Sequence, residues 1–245
     1  MSTLRQVLKF ALTAALPPAW FLVHGPRRLA ASAPTEIALT FDDGPHPEHT
    51  PRILDLLAAA DLKGTFFVVG KQAQRHPDLI RRIAAAGHEL GNHSWTHGEP
   101  AGTPTDTFLN ETRQTRHLLQ DLTGCDCHLT RPPKGRLTLG KAVGLWRQQQ
   151  TIVLWNIDPK DFSMTDSREM LRWFDGYRPR HGDIVLLHDD RPHAAACLER
   201  LSALTEQRPK CVAVSEWLTR RQTVLKTSAE GSRKSSSEFS AANRS

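Results

Sequence analysis

The chain has 245 residues, of which 39% are hydrophobic and 24% are charged, a composition typical of globular proteins and unlike that of a disordered or multi-span membrane protein. Its net charge of +6 comes from the two ends, because residues 1–35 sum to +4 and residues 226–245 to +2, while residues 36–225 are neutral. A neutral central region gives no basic signature for nucleic acid, and we expect no nucleic-acid partner.

An uncharged run lies near the amino terminus. Residues 10–23 follow Arg5 and Lys9 and number only 14, too few for a comfortable helical membrane span. The run suits the core of a signal peptide or an interfacial anchor, and it equally suits a first segment that packs on the domain of a cytosolic protein. Membrane association through residues 10–23, a cytosolic location and cleavage within the segment 1–35 therefore all stay open.

Strand-like and helix-like segments then alternate through one predicted domain, residues 36–222. The first helix is predicted to begin at Thr50, whose hydroxyl would cap it, with Pro51 at the first helical position. Further helices are predicted at residues 77–87, 104–122, 138–149, 168–174 and 194–204, with a short one ending near residue 221. Seven strands are predicted, at residues 36–41, 64–69, just before 91, up to 131, 152–157, 183–187 and 211–214.

This alternation predicts an α/β fold with a parallel sheet, either open and doubly wound or closed into a barrel. The ~190 residues available are fewer than the ~250 of a typical eight-unit barrel, so a barrel would have to be reduced or distorted. The remaining residues, 223–245, are rich in Ser, Ala and Lys. They are predicted to be disordered because they cannot bury enough apolar surface.

The four cysteines give no structural signal. They lack the paired C-x-x-C spacing of a structural zinc site, and they permit three disulfide pairings that the sequence cannot rank: Cys125, Cys127, Cys197 and Cys211. We predict no disulfide.

Five polar clusters each follow a predicted strand. They are Asp42-Asp43, residues 93–97, residues 131–135, residues 158–161 and His188. Taken singly, each has an ordinary explanation as a turn, a surface charge or a core histidine. The carboxyl ends of parallel strands lie at one end of a sheet or barrel, so the five clusters are expected to converge on one site.

These clusters contain five motifs in a fixed order. They are Thr40-Phe41-Asp42-Asp43-Gly44-Pro45, His93-Ser94-x-x-His97, Arg131-Pro132-Pro133-x-Gly135, Asp158-x-x-Asp161 and Leu186-x-His188. The ordered set resembles the polysaccharide deacetylase family, the NodB-homology domain of carbohydrate esterase family 4. The resemblance covers about residues 36–220, and it implies a distorted (β/α) barrel with about seven parallel strands in a single domain.

The resemblance also implies a metal-dependent hydrolase that removes acetyl groups from a carbohydrate. Asp43, His93 and His97 would hold a divalent cation, with zinc expected, through one carboxylate and two imidazoles. Asp42 would accept the proton of the attacking water, oriented by Arg131.

His188 would then protonate the leaving nitrogen, with Asp161 at its other ring nitrogen. The main-chain N–H of Lys134 would help to hold the oxyanion. Two positions depart from the family pattern, because Lys134 stands where an aromatic residue is common and Phe162 replaces a tryptophan. Asp158 would either anchor the site or cap the following turn.

Three alternatives stay open. The same site could cleave acetyl esters, as on xylan. Aspartyl-phosphate phosphatases also place carboxylates after a first strand, but with D-x-D spacing, and they would leave His93, His97 and His188 unexplained. A non-catalytic carbohydrate- or metal-binding protein could keep the fold, although binding alone needs no proton-transfer group. The sequence predicts a carbohydrate partner and indicates no oligomeric state.

Overall fold

The strands of the described chain all pair in parallel. The computed structural model describes residues 20–26, 34–204 and 208–219. Within them, one sheet contains β1 (Phe21–Leu22), β2 (Glu36–Asp42), β3 (Gly64–Val68), β4 (Glu89–Asn92), β5 (Leu129–Thr130), β6 (Thr151–Val153), β7 (Asp183–His188) and β8 (Lys210–Cys211). The strand order is β1-β6-β5-β4-β3-β2-β7, and β8 pairs with the first residues of β2.

The sheet curls into a distorted barrel. Just after β6, Ile157 forms a bridge with Val185 of β7, near the other end of the strand order. The N–H of Ile157 donates to the carbonyl of Ile184 at 3.1 Å. The predicted α/β class and distorted barrel are confirmed, and each of the seven predicted strands is present.

Helices cover the outside of the sheet. They are α1 (His49–Ala59), α2 (Gly70–Arg75), α3 (Pro77–Ala85), α4 (Thr105–Thr123), α5 (Leu139–Arg147), α6 (Ser167–Gly176) and α7 (His193–Ser202). The short α2 was not predicted, and a helical stretch at residues 214–219 shortens the last predicted strand. Leu57, Leu119 and Leu198 of these helices pack in one apolar core with Phe41 and Val185 of the strands. All four cysteines are free.

Side-chain alternation along β2 positions the site. Leu39 and Phe41 lie in the core beneath the helices. Ala38 instead packs with Ile184 in a second cluster, to which six strands contribute, and which therefore fills the barrel interior. Because successive side chains of a strand point to opposite faces, Asp42 shares the interior face with Ala38.

Helix α1 is not capped by Thr50, and this prediction was wrong. The helix begins at His49, after Glu48, and Pro51 is its third residue. Thr50 therefore lies inside the first turn, where its hydroxyl accepts the His46 N–H at 2.8 Å and donates to a carboxylate 139 residues away in sequence, at 2.6 Å. A long-range polar contact takes the place of the predicted local cap.

The sixth strand ends at Val153, before the predicted end at residue 157. Arg131 donates from Nε to the Val153 carbonyl at 3.3 Å and from Nη2 to the Leu154 carbonyl at 3.1 Å. The hydrogen bonds from Arg131 therefore occupy the carbonyl groups of Val153 and Leu154. These groups would have to accept hydrogen bonds from a neighbouring strand if β6 were longer, so the strand ends here.

The amino-terminal segment contributes a strand that the sequence did not predict. Phe21 and Leu22 pair with β6, and Leu22 belongs to the barrel interior. The folded unit therefore includes residues on the amino side of the predicted boundary at residue 36. Residues 10–19 of the apolar run, and the predicted disordered tail, lie outside the described residues. Among the residues described, no helix combines the length and apolar character that a membrane crossing requires.

Candidate active site

The predicted polar clusters meet at the carboxyl end of the barrel. Asp42 ends β2 and His188 ends β7, and these two residues are paired in register. His93 directly follows β4, and Arg131 directly follows β5. Parallel pairing therefore places all four side chains at one edge of the barrel.

The three candidate metal ligands face one another. Nε2 of His93 lies 3.4 Å, and Nε2 of His97 3.2 Å, from Oδ1 of Asp43. The ligand atoms of the three residues all lie within 4.8 Å of one another. Oδ1 of Asp43 is buried without a hydrogen-bond partner among the described residues. A buried, unsatisfied carboxylate oxygen beside two imidazole nitrogens fits a divalent cation, which would provide the missing partner.

The orientation of His93 suits a metal ligand. Its Nδ1 lies 2.6 Å from the main-chain carbonyl oxygen of Arg131. A carbonyl oxygen only accepts hydrogen bonds, so Nδ1 carries a proton and donates it. Nε2 is thereby the nitrogen that faces Asp43, and the ring cannot rotate without losing this bond.

Left-handed backbone conformations shape this cluster. Asp43, Ser94 and His97 have φ angles of 76°, 64° and 54°. Such angles are uncommon for residues other than glycine, and they persist where the surrounding structure holds them. The side chain of Asn92 accepts the Ser94 N–H at 2.9 Å, and Ser94 Oγ accepts the His97 N–H at 3.1 Å. These bonds hold the turn that returns His97 toward His93.

The charges of the cluster favour a cation. Burial would raise the pKa of Asp43, but the adjacent His93 and the positive charges of His97 and His188 outweigh burial and hold this pKa well below its usual range. Burial would lower the pKa of His93, but the charge of Asp42 and the contact with Asp43 raise it. Burial and the charge of His93 lower the pKa of His97. The carboxylates of Asp42 and Asp43 thus favour positive charge at His93, whereas burial and the charge of His93 keep His97 in its neutral form, which can bind a metal.

Arg131 is buried completely, with 0% of its surface exposed. Its Nη1 donates to Oδ1 of Asp42 at 2.6 Å and to Oγ1 of Thr40 at 2.8 Å. Its guanidinium carbon lies 4.1 Å from the centre of the Phe67 ring. The guanidinium also donates to two backbone carbonyls, so hydrogen bonds hold it in place from several sides. It in turn holds the Asp42 carboxylate beside the candidate metal ligands.

Asp161 and His188 form a second pair. Oδ1 of Asp161 lies 2.6 Å from Nδ1 of His188, and Oδ2 accepts the main-chain N–H of His188 at 2.8 Å. Burial would lower the pKa of His188, but the hydrogen bond and charge of Asp161 raise it to about 9. Nε2 of His188 lies 4.0 Å from Oδ2 of Asp43. The imidazolium therefore presents its remaining N–H to the metal-ligand cluster.

Lys134 lies in a short turn three residues after Arg131 in the sequence. It occupies the turn Pro133–Gly135 with φ 54° and ψ 15°. Its half-exposed side chain pairs with Glu99. The ammonium group is therefore engaged at the surface, and the predicted use of the Lys134 main-chain N–H stays a prediction.

Phe162 and Asp158 lie on either side of the Asp161 position. The Phe162 ring packs edge-on against His188, with ring centres 5.8 Å apart, and is 48% exposed. Asp158 accepts the main-chain N–H of Lys160 at 2.8 Å, so it caps a turn. Of the two roles considered for Asp158, the observed contact matches the turn cap.

Two residues at this end of the barrel were given no role from the sequence. Thr40 Oγ1, which accepts from Arg131, donates to the Val185 carbonyl at 2.7 Å. Asp189 follows His188 and is almost fully buried. Asp189 carried a usable signal, because a polar residue directly after a strand marked every other cluster. Thr40 belongs to the first motif, but a threonine within a strand is ordinary and did not indicate a contact with Arg131.

Comparisons with known proteins match this chain to carbohydrate deacetylases. A family model described as polysaccharide deacetylase matches residues 30–143. A peptidoglycan-N-acetylglucosamine deacetylase of Bacillus cereus is 39% identical over 127 residues, which are 52% of this chain and 46% of that relative. A second Bacillus cereus protein of the same name is 33% identical over 188 residues, 74% of this chain and 87% of that relative.

The fold of this chain also matches that of solved deacetylase structures. A crystal structure of a peptidoglycan N-acetylglucosamine deacetylase in complex with 4-naphthalen-1-yl-N-oxidanyl-benzamide matches with a TM-score of 0.76 and 28% identity. The match covers 85% of this chain and 96% of that chain. The match to the first Bacillus cereus relative, in comparison, covers less than half of the length of that relative.

Proposed function

Because this chain belongs to the polysaccharide deacetylase family, we propose that it hydrolyses the acetyl groups of an acetylated carbohydrate. The favoured bond is an amide of the N-acetylglucosamine type, the substrate class in the names of the two Bacillus cereus relatives. One observation carries the proposal. The Asp42–Arg131 pair ends beside Nε2 of His93, and the Asp161–His188 pair ends beside the carboxylate of Asp43, so both reach the same group of candidate ligands.

Asp43, His93 and His97 would hold a divalent cation. Zinc is the candidate, because one carboxylate and two imidazoles are a set of ligands that leaves positions open for water and substrate. The bound cation would lower the pKa of a water molecule and polarise the acetyl carbonyl. The bond from His93 to the Arg131 carbonyl keeps its Nε2 directed at this position.

Asp42 accepts the proton of the attacking water. Its Oδ1 is held by Arg131 at 2.6 Å, whereas its Oδ2 lies 3.6 Å from Nε2 of His93 and faces the cluster. A general base must lie within hydrogen-bond reach of the proton that it removes. Arg131 keeps Oδ2 in that direction, because it binds the other oxygen and cannot move itself.

His188 protonates the leaving nitrogen. Its Nδ1 donates to Asp161, which leaves the N–H at Nε2 facing the carboxylate of Asp43. With the pKa of His188 raised to about 9, this nitrogen holds its proton at neutral pH. An amine leaves readily only when protonated, whereas an alcohol demands less of the acid. The pair with Asp161 therefore supplies the protonated acid that an amine leaving group requires.

Lys134 would donate its main-chain N–H to the oxyanion. The turn at Pro133–Gly135 is held by the bond from the Gly135 N–H to the Pro132 carbonyl at 2.9 Å. A preorganised backbone donor stabilises charge without the cost of reorganising a side chain. The unusual lysine at this position therefore need not affect the donor.

A non-catalytic binding protein is the alternative from another class. Retention of a cation requires Asp43, His93 and His97 and gives no reason for burying Arg131 against Asp42. The presence of both proton-transfer pairs therefore supports the enzyme. The alternative that hydrolyses acetyl esters of xylan shares every residue and differs only in its substrate.

Release of acetate tests the proposal. The purified chain would be incubated with chitin oligosaccharides, peptidoglycan and acetylated xylan, before chelation, after chelation and after zinc is restored. We expect zinc-dependent release, faster from the amides than from the ester. The matched control is His188→Gln, which should release no acetate and so excludes a contaminating hydrolase. Absence of release from every glycan by zinc-loaded protein would refute the activity and favour the binding protein.

A further inference from the structure

Asp189, directly after the proposed acid, is a buried carboxylate to which the mechanism above gives no role. It accepts the hydroxyl of Thr50 at 2.6 Å, and its main-chain N–H donates to the Asp42 carbonyl at 3.1 Å. The Thr50 hydroxyl accepts the N–H of His46 at 2.8 Å. These bonds join the end of β7 to the loop that leads from β2 into α1.

The carboxylate of Asp189 lies flat against Gly44. A Cβ atom at Gly44 would lie 2.1 Å from Oδ2 and 2.2 Å from Oδ1 of Asp189. No side chain fits at that distance, so the close approach requires glycine. The main chain of Gly44 also lowers the pKa of this carboxylate, as expected for an N–H close to it. Asp189 thus fixes the residue that immediately follows the proposed ligand Asp43.

The backbone of Asp43 needs such support. Its φ of 76° lies in a region that residues with a side chain rarely adopt. A conformation of this kind persists only where the surroundings over-determine it. Both neighbours of Asp43 are tied to Asp189, Gly44 through the carboxylate and Asp42 through the main chain. The direction of the Asp43 side chain therefore depends on Asp189.

Stability does not explain an acid at this position. Burial, together with the charges of Asp190 and Asp43, raises the pKa of Asp189 to about 7, against the lowering effect of its hydrogen bond with Thr50. Within the described part of the chain, no lysine, arginine or histidine forms an ion pair with it. A buried carboxylate without a cationic partner costs free energy of folding.

We propose that Asp189 and Thr50 form a clamp that positions Asp43 as a metal ligand. This inference rests on the proposed function, because it assumes that Asp43 binds a cation. The clamp acts through the backbone of residues 42–46 and supplies no ligand atom of its own. Opening it should let Asp43 turn away from His93 and His97, which weakens metal binding without removing a ligand.

Zinc affinity is the direct test. Apo protein would be titrated with Zn²⁺ in competition with a chromophoric chelator, and the visible spectrum of the Co²⁺ form would report the ligand geometry. We expect Asp189→Ala and Thr50→Val to weaken Zn²⁺ binding about 10- to 100-fold, as loss of residues that hold metal ligands generally does. Thr50→Ser keeps the hydroxyl and should stay within about 3-fold of the wild type.

Asp183→Ala is the matched control. Asp183 is an equally buried aspartate at the opposite end of the same strand, where the hydroxyl of Tyr177 donates to it at 2.9 Å and the amide of Asn156 at 2.8 Å. Its loss should lower the melting temperature and leave the Zn²⁺ affinity and Co²⁺ spectrum unchanged. If Asp189→Ala does not fold, the Zn²⁺ affinity of Thr50→Val compared with that of Thr50→Ser tests the clamp.

The outcomes separate the two proposals. Unchanged Zn²⁺ affinity in folded Thr50→Val, or equal weakening in Thr50→Ser and Asp183→Ala, would overturn the clamp. A wild-type chain that binds Zn²⁺ without releasing acetate would overturn the function alone and leave the clamp to be judged by affinity. A wild-type chain that binds no Zn²⁺ would overturn both.

Discussion

The pair of Asp161 and His188 gives the sharpest prediction for the proposed chemistry. Oδ1 of Asp161 accepts the proton on Nδ1 of His188, and Oδ2 accepts the main-chain N–H of the same residue. An asparagine has one acceptor oxygen, so in Asp161→Asn one of these donors must face an NH₂ group. The substitution therefore removes the negative charge and also disturbs the orientation of the ring.

The expected loss follows from the pKa of His188. Burial would lower this pKa, and Asp161 raises it from 6.5 to about 9. With the aspartate gone, burial still lowers this pKa while the charges of Asp42 and Asp43 still raise it, so the pKa should fall from about 9 toward its ordinary value of 6.5. At about pH 7.5, a group of pKa 6.5 is protonated in roughly a tenth of the molecules, so loss of the proton alone lowers turnover about tenfold. Misorientation of the ring should bring the total to about 10²-fold, at the low end for a positioned acid.

The pH dependence distinguishes this explanation from general damage. A raised pKa means that wild-type His188 keeps its proton as the pH rises, until the pH approaches about 9. In Asp161→Asn the proton leaves earlier, so the basic limb of the rate profile should move to lower pH. Acetate release from chitin oligosaccharides as a function of pH, with the Zn²⁺ affinity of each variant, measures both effects. The loss should be smaller for an activated acetyl ester, whose leaving group needs little protonation.

The matched control is Asp158→Asn, a nearby aspartate that caps a turn. It should leave the pH profile in place. The reasoning would be refuted if Asp161→Asn released the zinc, or if its basic limb stayed at the wild-type position. In either case the assignment of His188 as the acid would have to be abandoned.

Three further predictions concern the rest of the chain. Replacing His93 by alanine should abolish zinc retention and turnover together, as measured by metal analysis after gel filtration and by acetate release. Asp42→Asn should lower turnover by about 10²- to 10⁴-fold. It should also destabilise the fold by about 3–5 kcal/mol in chemical denaturation, because a buried arginine loses its ionised partner. If Asp42→Asn still binds zinc, its loss of turnover is due to loss of the base and not to loss of a metal ligand. Full turnover in this variant would exclude Asp42 as the base. Truncation after Leu225 should leave the melting temperature and activity nearly unchanged, since the tail composition supports no core. A large drop in either would show that the tail docks on the domain.

Much of the architecture was readable in the sequence because its signals are local. The alternation of strand and helix patterns needs only neighbouring residues, and parallel connection then forces all strand ends to one side. Polar residues at those ends predicted that five clusters meet at one site. The resemblance to a known family added the expected metal ligands Asp43, His93 and His97 and the expected roles of Asp42, Arg131 and His188, which spacing alone left open.

Contacts between distant parts of the chain were decided by the tertiary structure alone. The strand at Phe21–Leu22 has two residues, too few for any periodicity, and it exists because β6 offers an unpaired edge. The hydroxyl of Thr50 matched a helix cap by sequence, yet it binds Asp189, 139 residues away. Likewise, Arg131 ends the sixth strand early by binding carbonyls more than twenty residues later. A local sequence pattern specifies which face of a helix or strand is buried. It does not specify which polar group from a distant part of the chain contacts that face, because the distance between the two groups is set only when the whole chain folds.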